Sequence, residues 1–351
     1  FYVANLIRKY GEDWRDAWRT TTEARLKDWG FNTLANWSQA DIIASSSLPY
    51  VVSGGISGVP PIAGATGYWK PMFDVFHDAF AEAADRTASA LANAHGNNPR
   101  CIGYFVDNEL AWGGIDNGLF AAPPEQPCRQ FFLRQLQERY DTLDELNAAW
   151  RSGFDAWDAV GQPPRTTDAF RADRDRFLRA FADRYYATIA GALRRHAPNQ
   201  LYLGSRFSVA PDFAVQAAAR HCDVVSFNFY TSEPPCARYL EDGGLGKPLM
   251  IGEFHFGALD RGMFHGGLSP VADQAARAEA YAHYVWSAAR CANVVGCHWF
   301  QYVDEPITGR WFDGENYNIG LVDVTDAPYP ELTARATEVN RAVYRVRTQG
   351  T

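Results

Sequence analysis

Cys101-Ile102-Gly103-Tyr104-Phe105-Val106-Asp107-Asn108-Glu109 is a run of apolar or small residues that ends abruptly in two carboxyls and an amide. A short stretch with no polar residue on either alternating face predicts a strand buried on both sides, and such strands belong to parallel sheets covered by helices. The polar triplet marks where the chain leaves the core. A carboxylate delivered there must be paired, or must change its proton affinity, because burying it alone costs too much.

Working outward, the same form recurs. Residues 31–37, 48–53, 201–205, 224–230, 249–254 and 294–300 are short apolar, β-branched or aromatic runs, which with 101–107 predict seven strands. Amphipathic stretches separate them. Residues 13–29 place Trp14, Trp18, Leu26 and Trp29 on one helical face, with Gly30 as the stop. Residues 75–94, helices within 129–150, and 330–346 read likewise. The clearest helix is 168–196, where Phe177, Phe181, Tyr185, Ile189 and Leu193 recur every fourth residue before Pro198.

Strands alternating with helices predict an α/β fold, a (β/α)8 TIM barrel forming one catalytic domain over residues 1–351. A closed barrel needs an eighth strand. The chain opens with what should be the helix after strand one, so the first strand is expected upstream of Phe1 or missing from this chain. A doubly wound open sheet is the alternative. Against it, no strand runs into a GxGxxG or GxxxxGK[ST] phosphate loop.

Composition fits one large core: 351 residues, 47% hydrophobic, with 11 Trp and 17 Tyr. Most of these aromatics belong to the core, and the remainder would line a sugar cleft, since apolar sugar faces stack on rings. A net charge of −8 supplies no basic surplus for nucleic acid or an anionic membrane surface. No run approaches the roughly 18–20 apolar residues of a membrane span. None of the six cysteines forms a CxxC pair or a zinc-like cluster. Cys101, Cys222, Cys291 and Cys297 read as small core residues. Cys128 and Cys236 stand in Pro-containing loops, and a bridge between them is an open alternative to two free thiols.

In barrels the chemistry gathers at the C-terminal strand ends. One end delivers Asn108 and Glu109. Another, Ile251-Gly252-Glu253-Phe254-His255-Phe256-Gly257, delivers Glu253 among aromatics. Alone, each glutamate is as readily a buried ion pair. Two of them, on the fourth and seventh barrel strands, would face each other across the barrel mouth. Glycosidic bond hydrolysis requires such a pair: one carboxyl protonates the leaving oxygen, and the other attacks or activates water. Retention of configuration would require roughly 5 Å between them. Asn36, Trp37, Tyr230, Trp299, Gln301, Asp304 and Glu305 end the other strands. His255, His265 and His298 are candidates for sugar hydroxyls, although a structural role is the better expectation for any lone histidine. The loops 54–67, 112–126, 257–269 and 308–318 are longer than connections require, as functional loops are.

The Asn-Glu pair after strand four and the Glu after strand seven resemble those of clan A glycoside hydrolases. That resemblance implies that Glu109 is the acid/base and Glu253 the nucleophile of a double displacement. It further implies that Asn108 meets the substrate 2-hydroxyl, that Tyr230 bonds the nucleophile and that Trp299 floors the sugar site. Within the clan, residues 1–11, 26–33, 103–109 and 299–309 are similar to glycoside hydrolase family 50, the β-agarases. Those agarases carry an upstream β-rich region and the first barrel strand, which by this resemblance would be expected before Phe1.

The expectation is therefore a retaining hydrolase of a β-linked galactose-containing polysaccharide or its oligosaccharides. Asn36, Trp37, Asn108, Tyr230, His255, Trp299, Gln301 and Glu305 are the expected sugar contacts. The alternatives are a β-galactosidase or other polysaccharide hydrolase of the clan, and a non-catalytic carbohydrate-binding barrel. No cofactor and no metal site is implied, and no Ca²⁺ loop is recognisable. A polysaccharide substrate would place the protein in a secreted or periplasmic setting.

Overall fold

The computed structural model describes residues 2–236, 239 and 244–349. The fold is mixed α/β with two three-stranded sheets, ordered β1-β2-β3 and β4-β5-β6. The strands are β1 (Tyr50–Gly54), β2 (Cys101–Val106), β3 (Leu201–Tyr202), β4 (Val225–Asn228), β5 (Leu249–Phe254) and β6 (Val294–Trp299). The chain divides into two compact units. One comprises Phe1–Val52, Arg100–Ile102 and Ser226–Thr351, and the other Ser53–Pro99 and Gly103–Val225.

The second of these units contains the helices α4 (Asp78–His95), α5 (Ile115–Ala121), α6 (Pro127–Gln137), α7 (Leu143–Trp150), α8 (Asp168–His196) and α9 (Asp212–His221). β2 runs parallel to β3, with Gly103 opposite Leu201 and Tyr104 opposite Tyr202. Gly103 suits that pairing, because a Cβ there would lie 2.3 Å from the Leu201 carbonyl oxygen. α8 behaves as its pattern demands. Phe177, Phe181, Tyr185, Ile189 and Leu193 are all buried, and the Thr167 hydroxyl caps the helix by accepting from the Phe170 N–H at 3.1 Å. Phe76 stacks on Phe131 with ring centroids 4.0 Å apart and meets Phe181 edge-on, so aromatic packing fills the space under α8.

The first unit contains α1 (Tyr2–Tyr10), α2 (Trp14–Asp28), α3 (Ala40–Ser45), α10 (Gln274–Arg290) and α11 (Pro330–Gln349). β5 is buried at every position and runs parallel to β6, with Ile251 opposite Cys297 and Phe254 opposite Trp299. α10 and α11 lie side by side, tied by the Tyr281 hydroxyl donating to Asn340 Oδ1 at 2.7 Å. The fully buried Asp326 side chain gathers Tyr2, Lys9, Tyr10 and Arg25, so α1 and α2 are fastened to the loop before α11.

Three expectations change. The strand over 31–37 is a single parallel bridge from Leu34 to Tyr50, so the described residues hold six strands. The ladder stops because the chain reverses at Trp37, whose φ is 69°. Helices α1, α3, α5, α9 and α10 have no counterpart in the expected elements, and α5 falls inside the loop expected over 112–126. The disulfide joins Cys236 to Cys291, with Cα atoms 6.2 Å apart. Cys128 is instead a buried free thiol in the first turn of α6, where its N–H donates to Asp74 at 2.9 Å.

Candidate active site

Glu109 belongs to the unit that carries β2 and β3. Beyond Val106 the backbone leaves the strand through two left-handed residues, Asp107 at φ 60° and Glu109 at φ 50°. The first is anchored by its side chain. Asp107 is buried, and its carboxylate accepts from the Ile56 N–H at 2.9 Å and the Tyr185 hydroxyl at 2.8 Å, with Lys70 Nζ 3.6 Å away. Burial raises its proton affinity, and Lys70 is the main opposing influence. Asp107 is thus the pin that fixes the exit from β2.

Asn108 Oδ1 accepts from Arg206 Nε at 2.8 Å. Arg206 is fully buried and left-handed (φ 56°), with its guanidinium 4.8 Å over the Phe105 ring. The Glu109 N–H is shared between the Ser205 and Arg206 carbonyls at 3.2 and 3.3 Å. Its half-buried carboxylate accepts from the indole N–H of Trp69 at 2.9 Å. Trp69 is braced edge-on by Tyr68, centroid to centroid 4.8 Å. Sequence reasoning missed Trp69 and Arg206. The only signals were an aromatic pair just past the Gly54–Gly67 loop and an arginine one residue beyond a predicted strand.

Glu253 belongs to the other unit, at the penultimate position of β5, and its side chain is buried. Both carboxylate oxygens are held. Trp37 Nε1 donates to Oε1 at 2.8 Å, and the Tyr230 hydroxyl donates to Oε2 at 2.5 Å. Two donors, one on each oxygen, fix the orientation of this carboxylate. Its carbonyl accepts from the Phe229 N–H at 3.0 Å, which places the residue before Tyr230 alongside the strand. Trp37 is 54% exposed although its N–H is engaged, so most of its ring faces outward. Asn36, next to it, is buried, and its Nδ2 finds no acceptor among the described residues.

Trp299 is oriented by its own N–H, which donates to the Gln301 and Ile319 carbonyls at 2.9 and 3.1 Å, and its ring meets Phe254 edge-on. Gln301 is half-buried.

Two expected sugar contacts are not on offer. His255 is buried; Nδ1 lies 3.2 Å from the Phe300 carbonyl, and Nε2 accepts from the Leu268 N–H at 2.9 Å. Burial, then the Arg277 charge, lowers its pKa to about 3. It is therefore a neutral ring with both nitrogens spent on backbone. Glu305 is also fully buried. It accepts from the Tyr317 N–H at 2.9 Å and pairs with Arg310 at 3.3 Å, which in turn holds Asp313 and Glu315. Burial pushes its pKa up to about 7, helped by Glu315 and Asp313 against Tyr317 N–H and Arg310. Asp304 is likewise structural, accepting from Gly320 N–H, Asn318 and Tyr329. His265 Nδ1 accepts from the Gly267 N–H at 3.1 Å.

Among the described residues no group of three or more His, Cys, Asp or Glu is arranged to hold a metal ion. Among the described residues no helix is long and apolar enough to cross a membrane.

The family model Glyco_hydro_42, described as beta-galactosidase, matches residues 58–249. Beta-agarase A of Vibrio sp. (strain JT0107) is 38% identical over 98% of this chain and 37% of its own length. Beta-agarase B of the same strain is 36% identical over 99% and 39%. A solved exo-beta-agarase superimposes with a TM-score of 0.93 at 39% identity, covering 99% of this chain and 50% of the other. The chain thus spans less than half the length of the curated relatives it matches.

Proposed function

Because the chain belongs to the clan A glycoside hydrolases, in the family described as beta-galactosidase, we propose that it is a retaining hydrolase of β-linked galactose-containing polysaccharide or its oligosaccharides. The observation that carries this reading is Glu253, buried at a strand end with each carboxylate oxygen engaged by a neutral donor. A nucleophilic carboxylate must hold one orientation, and the Trp37 and Tyr230 donors supply it. The agarase relatives support the galactan substrate. Residues 1–351 are proposed as a single catalytic domain of the (β/α)8 type, in line with the clan.

In the proposed reaction Glu253 attacks the anomeric carbon as the glycosidic C–O bond breaks, and the Glu109 proton passes to the leaving oxygen. Water then attacks the glycosyl ester, Glu109 takes its proton, and the Glu253 carboxylate departs. Trp69 would orient Glu109, and Arg206 would hold Asn108 toward the 2-hydroxyl. Asn36, with its unsatisfied amide N–H, and the exposed ring of Trp37 are the proposed sugar contacts beside Glu253, with Trp299 as the floor.

The test is turnover of agarose, neoagaro-oligosaccharides and an aryl β-galactoside by the wild type, Glu109→Gln and Glu253→Gln, with products read by mass. Glu109→Gln is expected to lower kcat on the polysaccharide about 10²–10⁴-fold, and Glu253→Gln to reach background. Azide should restore turnover to Glu253→Ala with a glycosyl azide of inverted configuration. Near-normal turnover by Glu253→Ala would refute the assignment. A second reading, an exo-acting β-galactosidase, is favoured by the description of the matched family over 58–249. Cleavage of the aryl galactoside alone would select it.

A further inference from the structure

Trp311 is 94% exposed, and its neighbour Phe312 is 54% exposed. The two rings meet edge-on, centroids 5.4 Å apart, and form one exposed aromatic surface of the kind that sugar faces stack on. A loose loop would explain such a side chain cheaply, but this loop is not loose. The Arg310 N–H donates to the Glu315 carbonyl, the Gly314 N–H to the Arg310 carbonyl, and the Gly309 N–H to the Pro306 carbonyl, each at 2.8 Å. Gly309 and Gly314 sit at φ 86° and 79°, and a Cβ on Gly309 would lie 2.7 Å from the Gly314 carbonyl oxygen, so the turn is drawn tight at its neck. Beneath the tip, Arg310 is clamped by Asp313, Glu305 and Glu315. The ring is thus presented by a braced support that loses little freedom when something lands on it.

Its position links it to the nucleophile. β5 and β6 are parallel neighbours, so the loop after β6 leaves the same sheet edge as Glu253. A continuous wall joins them: Tyr230 donates to Glu253, its ring lies 4.6 Å from His255, His255 touches the Phe300 carbonyl, and the Arg310 guanidinium lies 5.9 Å over the Phe300 ring. The cation also lies 4.8 Å over Phe312, which fixes the base of the aromatic pair. The residues under the tip, Glu305, Asp313 and Glu315, are acidic, and the whole chain carries −8. That repels a sulfated chain and leaves a neutral one unaffected.

We infer that Trp311 is a stacking platform for a distal sugar unit of a neutral, unsulfated galactan chain, held rigid by the Arg310 clamp. This rests on the glycoside hydrolase reading and deepens it, because it names what the enzyme grips beyond the bond it cleaves. The test measures binding of the non-cleaving Glu253→Gln protein to insoluble agarose. Adding Trp311→Ala is expected to raise the half-saturating concentration about tenfold, the loss of one good aromatic contact. Trp311→Phe is expected to restore most of it. Tyr344→Ala, which removes another strongly exposed ring, is the control and is expected to change nothing. Retention that Trp311→Ala leaves intact overturns the inference, as does absence of retention by the parent or equal binding to a sulfated carrageenan. Aryl β-galactoside turnover by the wild type is scored separately. It tests the catalytic reading whatever Trp311 does.

Discussion

Glu305→Gln separates a buried proton from a buried charge. In the wild type this carboxyl is fully buried, accepts from the Tyr317 N–H, and shares Arg310 with Asp313 and Glu315. Burial, with two neighbouring carboxylates, lifts its pKa from the ordinary 4.5 to about 7. A raised pKa means that the native state holds the proton more tightly than the unfolded chain. Between about pH 4.5 and 7 the native state therefore binds more protons, and stability falls as pH rises through that window. At about 1.4 kcal/mol per unit the ceiling is about 3 kcal/mol. Solvent relaxation around the Arg310 cluster brings the expectation to about 1–2 kcal/mol. Glutamine cannot ionise, so its stability should be flat across the same window, apart from a roughly constant loss for the weakened contact to Arg310. Urea unfolding of both proteins at pH 5 and pH 8 reads this directly. The variant should be slightly less stable at pH 5 and gain about 1–2 kcal/mol relative to the wild type by pH 8. Parallel curves would show that Glu305 is ionised throughout, which would sink the argument that burial raises its proton affinity.

Asp326→Asn tests the hub that ties α1 and α2 to the C-terminal loop. Asparagine tolerates the left-handed φ of 62°, so backbone strain is not the variable. Leaving Lys9 and Arg25 without their carboxylate should cost about 3 kcal/mol in thermal or chemical unfolding at pH 7. Burial opposes ionisation of Asp326, but Tyr10, Lys9 and Arg25 outweigh it and lower the pKa. Its contribution is thus present above the ordinary carboxylate range and lost as pH falls through the depressed value, so the gap should close in acid. A pH-independent gap would refute the charge argument. Reduction of Cys236–Cys291, or Cys291→Ser, opens a loop with a sequence separation of 55. Chain entropy sets about 4 kcal/mol as the ceiling, and a drop in Tm under reductant that Cys236→Ser/Cys291→Ser abolishes is the expected signature.

What the sequence disclosed follows from how local each feature is. β5 and α8 are legible because their patterns are written into consecutive residues: a strand buried at every position and an apolar residue every fourth place. The two glutamates are legible because apolar runs end on them. The donors that hold them are not. Trp37 is 216 residues from Glu253, and Trp69 is 40 from Glu109, so no pattern links them. The same gap explains His255 and Glu305. Their residue types and strand-end positions suggested sugar contacts, but what decides their role is the partner, and those partners are the Phe300 carbonyl, the Leu268 and Tyr317 N–H groups, and Arg310. The strand expected over 31–37 failed for a different reason: an apolar pattern says nothing about a backbone that reverses at its last residue.

That reversal recurs where the chemistry is proposed. Six described non-glycine residues are left-handed, and Trp37, Asp107, Glu109 and Arg206 are four of them. For a bulky side chain the conformation costs about 1–2 kcal/mol, so each must be held by its surroundings. Asp107 is held by Ile56 and Tyr185, Glu109 by the Ser205 and Arg206 carbonyls and Trp69, and Trp37 by Glu253. A hydrogen bond to a carboxylate contributes about 1.5–3 kcal/mol, enough to offset one strained residue with little to spare. The relation between Trp37 and Glu253 is therefore mutual: the indole orients the carboxylate, and the carboxylate keeps the indole in a conformation that the backbone alone would leave. Continuing the strands in extended geometry would relieve the strain, but each strand end would then send the next side chain to the opposite face. The left-handed turn is how Glu109 and Trp37 escape that alternation.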